Sequence, residues 1–127
     1  MLELKDFEEA KKRVDEVIIP TPLIYSPAFS KECRNMVYIK PENLQRTGAF
    51  KIRGAYNKIM KMDDESKSRG LIASSAGNHA QGVAYAAQQL GVKATIVMPA
   101  HTPLIKVDAT KALGAEVVLH GEVYDDA

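Results

Sequence analysis

Apolar positions in the second half of this chain alternate between two periods. Leu71-Ile72-Ala73-Ser74 and Ala94 to Met98 are short apolar runs suited to buried strands, and Ala115 to Leu119 is a third. Between the first two, Asn78 to Leu90 places Val83, Ala84, Ala87 and Leu90 at helical spacing, and a second helix begins near Thr102-Pro103. Both helices end in Leu-Gly, at Leu90-Gly91 and Leu113-Gly114, where glycine takes the left-handed conformation that closes a helix. Alternation of this kind predicts an α/β fold with a parallel sheet, and right-handed crossovers cover the sheet with helices. The two helices share no side-chain pattern, so the unit is a repeated supersecondary structure and not a solenoid.

The first half is less regular. Asp6 with Glu9 makes a capping pair for a first helix whose apolar side is Phe7, Ala10, Val14 and Val17. Pro20-Thr21-Pro22-Leu23 ends it, Ser26 to Cys33 reads as a short helix, and Met36 to Lys40 reads as a strand closed by Pro41. Ile52, Ala55, Tyr56, Ile59 and Met60 mark one buried face of a helix that begins near Thr47-Gly48. At the other end, Glu122 to Ala127 reads as the opening turn of a further helix, so the chain looks cut.

With 127 residues and 46% hydrophobic content, the chain has enough apolar material for one sizeable core. Seventeen basic and 16 acidic residues give a formal charge of +1 without a basic run, which leaves no footprint for nucleic acid or an anionic membrane. The single cysteine, Cys33, has no internal disulfide partner and reads as an incidental thiol. No apolar leader or membrane-length run is present, so the expected location is cytoplasmic. His101 and His120 fall at strand ends without metal-ligand spacing, and no metal site is expected.

Two stretches carry chemistry. Lys51 falls in the first turn of its helix, where the positive end of the helix dipole and the nearby Arg53 both favour the neutral amine that attacks carbonyls. An ordinary solvated helix lysine is the alternative. Ser75 to Asn78 forms the turn from strand to helix, a place where unpaired N-H groups seat a carboxylate or phosphate and Gly77 admits a ligand close to the backbone. The same residue types also serve as a plain capping loop with Asn78 as cap.

Taken together, Pro20-Thr21-Pro22-Leu23, the stretch Glu42-Asn43-Leu44-Gln45-Arg46-Thr47-Gly48-Ala49-Phe50-Lys51-Ile52-Arg53-Gly54-Ala55, and Ser75-Ala76-Gly77-Asn78-His79-Ala80-Gln81-Gly82 resemble the pyridoxal-phosphate enzymes of the tryptophan-synthase-β type (fold type II), most closely the threonine/serine dehydratases. The likeness runs through essentially the whole chain. It implies a three-layer arrangement in which residues 46–127 belong to the small domain bearing the cofactor lysine. Residues 1–45 are then an N-terminal segment packing on a larger domain.

By the same resemblance, Lys51 forms the Schiff base with pyridoxal 5'-phosphate, Phe50 lines its ring and Asn78 hydrogen-bonds its phenolic oxygen. The backbone of Ser75, Ala76, Gly77, Asn78 and His79 holds the carboxylate of an amino-acid substrate. Threonine would be converted to 2-oxobutanoate and ammonia, within threonine catabolism or isoleucine biosynthesis. Relatives that racemise serine carry a hydroxyl residue where this chain has Ala76, which favours elimination. Lys51-Ile52-Arg53 departs from the Lys-Asp-Arg of threonine and cysteine synthases, while Ala49 and Pro41 depart from many dehydratases. Some catabolic members respond to AMP at a subunit interface, and Arg46, Thr47 and Gln81 fall at matching positions. A homo-oligomer is implied for the full-length enzyme. The later glycine-rich phosphate loop of the family is not among these residues, so this stretch alone is expected to be inactive. The competing reading is a non-catalytic α/β module that binds an anion or nucleotide.

Overall fold

A computed structural model describes residues 1–127, the side chain of Tyr124 excepted. In chain order the elements are α1 (Leu4–Val14), β1 (Ile24–Tyr25), α2 (Pro27–Cys33), β2 (Tyr38–Ile39), a 3-10 turn (Glu42–Leu44), α3 (Lys51–Met60), α4 (Asp64–Arg69), β3 (Leu71–Ser74), α5 (Asn78–Gln89), β4 (Ala94–Met98), α6 (Leu104–Ala112), β5 (Glu116–Leu119) and a 3-10 turn (Tyr124–Asp126).

β3, β4 and β5 form a parallel sheet in that order, with Ala73 opposite Ile96 and Ile96 opposite Val117. Ala94, Ile96 and Met98 point to the buried side, where the core gathers Val83, Ala84, Ala87 and Val107 from α5 and α6. The α/β class and the parallel sheet are thus as expected. Helix cover among the described residues lies on this side. On the other side Ile72 is 81% exposed and Val118 39%, so the second covering layer of the three does not come from these helices.

α5 buries Ala80, Gly82, Val83, Ala84, Ala86 and Ala87, small residues that let it be approached from more than one direction. The sheet takes one flank, and α3 lies against another through Ile52, Ala55, Tyr56 and Ile59. At the crossing the two backbones meet at Gly82. A Cβ placed there would stand 3.0 Å from the carbonyl carbon of Lys51 and 3.1 Å from the nitrogen of Ile52. Gly91 and Gly114 take positive φ at the ends of α5 and α6, as their sequence positions predict.

Several expectations for the first half shift. α1 starts earlier than an Asp6 cap would allow: Glu3 is the cap, its N-H donating to the Asp6 carboxylate at 2.8 Å. Phe7 is exposed, because α1 docks on α3 by its C-terminal end, where Val14 is buried and Arg13 Nε donates to Asn57 Oδ1 at 2.8 Å. α2 begins at the Ser26 cap as expected, whereas the strand expected over Met36 to Lys40 shortens to Tyr38–Ile39, paired antiparallel with Ile24–Tyr25. α4 lacks any apolar period and so left no hydrophobic signal; Asp63 caps it and Arg69 pairs with Glu65. The end of the chain turns as 3-10, with the Asp126 carboxylate accepting from the amides of Glu122 and Val123.

Gly82→Ala tests the crossing directly. The added methyl forces α3 and α5 apart, and urea unfolding is expected to show a loss of about 1–3 kcal/mol.

Candidate active site at the start of two helices

The turn after β3 is built by Ser75. Its amide continues the ladder by donating to Val97 O at 3.0 Å, and its buried hydroxyl then accepts from the amides of Gly77 at 3.3 Å and Ala80 at 3.2 Å. Gly77 holds the cap position of α5 without a side-chain bond, the Ser75 hydroxyl two residues earlier accepts from the third helical amide in its place, and Asn78, the cap in the plain-loop reading, is exposed at the first helical position. Asn78 and His79 have no acceptor for their amides inside the helix. Gly77 sits at an ordinary φ of −132°, and a Cβ there would meet nothing within 4 Å. Its missing side chain leaves open room above the turn.

Lys51 opens α3. The helix starts a turn later than expected, because residues 45–49 follow an irregular path in which Gln45, Thr47 and Ala49 are buried and Arg46, Gly48 and Phe50 are exposed. Gly48 turns the chain at φ +66°. The Lys51 side chain is exposed, its amine stands 5.1 Å from the centroid of the Phe50 ring, and it has no carboxylate partner among the described residues. Gly82 presses on the backbone of this residue, and a Cβ on Gly82 would be 3.1 Å from the Lys51 Cβ. Asn78 precedes Gly82 by about one helical turn. The backbone of Lys51 thus lies against α5 about one helical turn beyond Asn78.

Arg53 does not behave as a second free charge beside the lysine. Its Nε and Nη2 both donate to Glu42, each at 2.8 Å, and Thr21 Oγ1 donates to the same carboxylate at 2.6 Å. These bonds, led by that from Arg53, bring the Glu42 carboxyl down to about 2 from an ordinary 4.5, against the opposing effect of burial. The pair raises Arg53 correspondingly. Close by, Gln45 is 4% exposed and its amide closes on both polar groups of Ile19, donating to its carbonyl at 2.7 Å and accepting from its N-H at 2.9 Å. Sequence reasoning passed over Glu42, Gln45 and Gly82 as contacts. Only Gly82 left a signal, as a glycine inside a helical pattern, which marks close approach.

Of the three effector candidates, Arg46 is exposed with Nε donating to Val17 O at 2.9 Å, Thr47 is buried with its hydroxyl unpaired, and Gln81 is half-buried on α5. A groove of about 550 Å³ opens elsewhere, between α1 and α3, and is lined by Phe7, Ala10, Arg13, Asn57 and Lys61. Neither Lys51 nor the 75–79 turn borders it. Among the described residues no metal cluster occurs, and no helix is long and apolar enough to cross a membrane.

An exposed amine without a carboxylate partner can condense with a carbonyl compound. Two free amides at the positive end of a helix can hold an anion. A family model described as pyridoxal-phosphate dependent enzyme matches residues 14–127. The chain is 51% identical over 127 residues to an L-threonine ammonia-lyase of Thermotoga maritima, covering 100% of this chain and 32% of the relative. Threonine deaminase isoform 2 of Solanum lycopersicum superposes with a TM-score of 0.84 at 42% identity, over 98% of this chain and 36% of that one. A serine racemase of Dictyostelium discoideum superposes with a TM-score of 0.90 at 37% identity, over 98% and 41%. The chain spans about a third of the length of the curated relative, at 32%.

The depressed Glu42 carboxyl has a consequence for stability. A folded-state value of about 2 against 4.5 means that the carboxylate's contribution is fully present above pH 4.5 and is lost as pH falls through about 2. Urea unfolding of the parent and of Glu42→Gln at a series of pH values is expected to show a stability difference that shrinks across this window.

Proposed function

The chain belongs to the pyridoxal-phosphate dependent enzyme family, and we propose that it is the N-terminal part of a threonine ammonia-lyase (threonine/serine dehydratase) that converts L-threonine to 2-oxobutanoate and ammonia by β-elimination. The observation that carries this reading is the close approach at Gly82, which sets the backbone of Lys51 against α5 about one helical turn beyond Asn78. The relatives named for threonine support the choice of substrate.

The residues present fit the cofactor at its aldehyde and ring. Lys51 offers an exposed amine with no carboxylate to tie it up, the Phe50 ring stands beside it, and Asn78 presents an exposed amide at the head of α5. In this reading Lys51 holds the cofactor, Phe50 lines it and Asn78 bonds its phenolic oxygen. When bound, the cofactor supplies the electron sink for negative charge at Cα. The turn from Ser75 to His79 binds the substrate carboxylate through its backbone, with Gly77 leaving the approach open. That grip would orient the Cα-H bond toward Lys51, whose Nζ, once the incoming substrate amine has released it from the cofactor, would take the proton.

Racemisation is the second reading, favoured by the likeness to the serine racemase. Against it, Ala76 offers no hydroxyl, and the Ser75 hydroxyl is buried and engaged by the amides of Gly77 and Ala80. Elimination remains the preferred reaction. We further propose that residues 1–45 pack on a larger domain of the full-length protein and residues 46–127 form the small domain. The exposure of Leu23, Ile24, Phe29, Met36 and Leu44 supports that division. A cytoplasmic homo-oligomer, acting in threonine breakdown or isoleucine formation, belongs to the same proposal. So does an AMP effector contacting Arg46, Thr47 and Gln81.

Two substitutions in the full-length protein separate the roles. Lys51→Ala is expected to abolish borohydride fixation of pyridoxal phosphate to the chain and to lower turnover about a thousandfold or more. Gly77→Ala adds a methyl that meets nothing in the fold, so stability is kept while KM for threonine rises about tenfold, the loss of one charge-assisted hydrogen bond. Borohydride fixation that persists in Lys51→Ala, or fails in the parent, would defeat the reading and leave a simple anion binder. For the effector, addition of AMP is expected to shift the substrate saturation curve to lower threonine; an unmoved curve removes that part.

A further inference from the structure

The start of α3 lacks the usual means of holding a helix end. Phe50 occupies the cap position without a side-chain hydrogen bond to the helix. The Arg53 amide donates to the Phe50 carbonyl at 3.1 Å, but the Lys51 and Ile52 amides take no side-chain acceptor from the cap, and the turn that carries Lys51 would fray if nothing more restrained it. Two restraints are present. One is the backbone contact with Gly82. The other is Arg53, third residue of the helix, locked by two parallel bonds to Glu42.

Glu42 is itself held from several sides. It opens a 3-10 turn, its carboxylate takes the hydroxyl of the buried Thr21, and Lys40 Nζ donates to the carbonyl of Thr21 at 2.5 Å. Both partners of the pair are mostly shielded, the side chains being 16% exposed for Glu42 and 29% for Arg53. A two-pronged guanidinium–carboxylate pair fixes direction as well as distance, which a single lysine contact cannot do. The chain thus spends a shielded ion pair two residues from an exposed lysine that makes no ion pair of its own.

We propose that Glu42 is a positioning residue for Lys51: through Arg53 it fixes the first turn of α3 and so the place where the Lys51 amine stands relative to the Ser75–His79 turn. This rests on the reading of Lys51 as the covalent lysine. Glu42 touches neither substrate nor cofactor in this account. It acts through the helix.

The test uses the full-length protein, with and without pyridoxal phosphate. In the cofactor-free form, Lys51 and Lys58 are labelled competitively with acetic anhydride and quantified by mass spectrometry, Lys58 serving as the exposed reference on the same helix. Loosening of the first turn frees the amine from the Phe50 ring, so Glu42→Gln is expected to raise the Lys51 to Lys58 labelling ratio about threefold or more. In the loaded enzyme the same variant is expected to lower kcat by about ten- to a hundredfold, as displacement of a reacting group by about 1 Å does, with KM changed less than about twofold. Glu42→Asp, which keeps the carboxylate, is expected to recover part of both. Arg53→Lys keeps the charge and loses the second prong, and it carries the test if Glu42→Gln does not fold. A ratio that stays unchanged or falls, whatever the loss in thermal stability, overturns the proposal. Failure of borohydride to fix the cofactor to Lys51 in the parent is a separate result and bears on the underlying reading.

Discussion

Two helices cannot cross with their backbones in contact unless one of them is bare at the crossing. α5 is bare at Gly82, and the atoms it meets are the backbone of Lys51 and Ile52. Much of the molecule follows from that contact. α5 is tied at its head to β3 through the Ser75 hydroxyl, and its small residues leave room for the sheet on one flank and α3 on another. The start of α3 and the second turn of α5 are brought together by packing, since 31 positions separate Lys51 from Gly82 in the chain.

A second set of constraints is polar. Residues 17–21 and 40–46 are joined by side chains acting as backbone would: Gln45 presents a donor and an acceptor to Ile19, Arg46 reaches the carbonyl of Val17, and Glu42 and Lys40 both take hold of Thr21. Buried polar groups cost free energy unless they are satisfied, and here they are satisfied by one another. The arrangement holds the irregular stretch that precedes Lys51 without a strand or helix to do it. The neighbouring β1, α2 and β2 bury little, and Tyr25 packs edge-on to Tyr38 at 5.5 Å while both remain half exposed. Order in this region depends on specific hydrogen bonds more than on apolar burial.

The site's electrostatics differ from what charge counting along the chain implies. Arg53 lies two residues from Lys51 and reads as a repulsive neighbour, yet its guanidinium is matched by Glu42, which comes from eleven residues upstream. Likewise Ser75, expected to contribute only its backbone, uses its hydroxyl to finish α5. The consequence is a division of labour within one turn: Ser75 is structural and inward, while Asn78, His79 and the space above Gly77 remain open.

What the amino-acid sequence determined by itself was whatever depends on local period and local backbone chemistry. The strands Leu71–Ser74 and Ala94–Met98, the span of α5, its glycine stop and the first-turn place of Lys51 were all legible, because a buried face imposes a period of two or 3.6 on neighbouring residues. The family was legible too, through the run around Phe50-Lys51 and that from Ser75 to Gly82, each a local string of residues. The tertiary structure alone decided the rest. α4 has no buried face to print a pattern, Phe7 lies on a helix that docks by its far end, and Glu42, Gln45 and Gly82 act on partners outside their own elements. A hydrogen bond or a backbone contact between distant segments leaves no period in the chain, so it becomes visible only once packing has brought its two ends together.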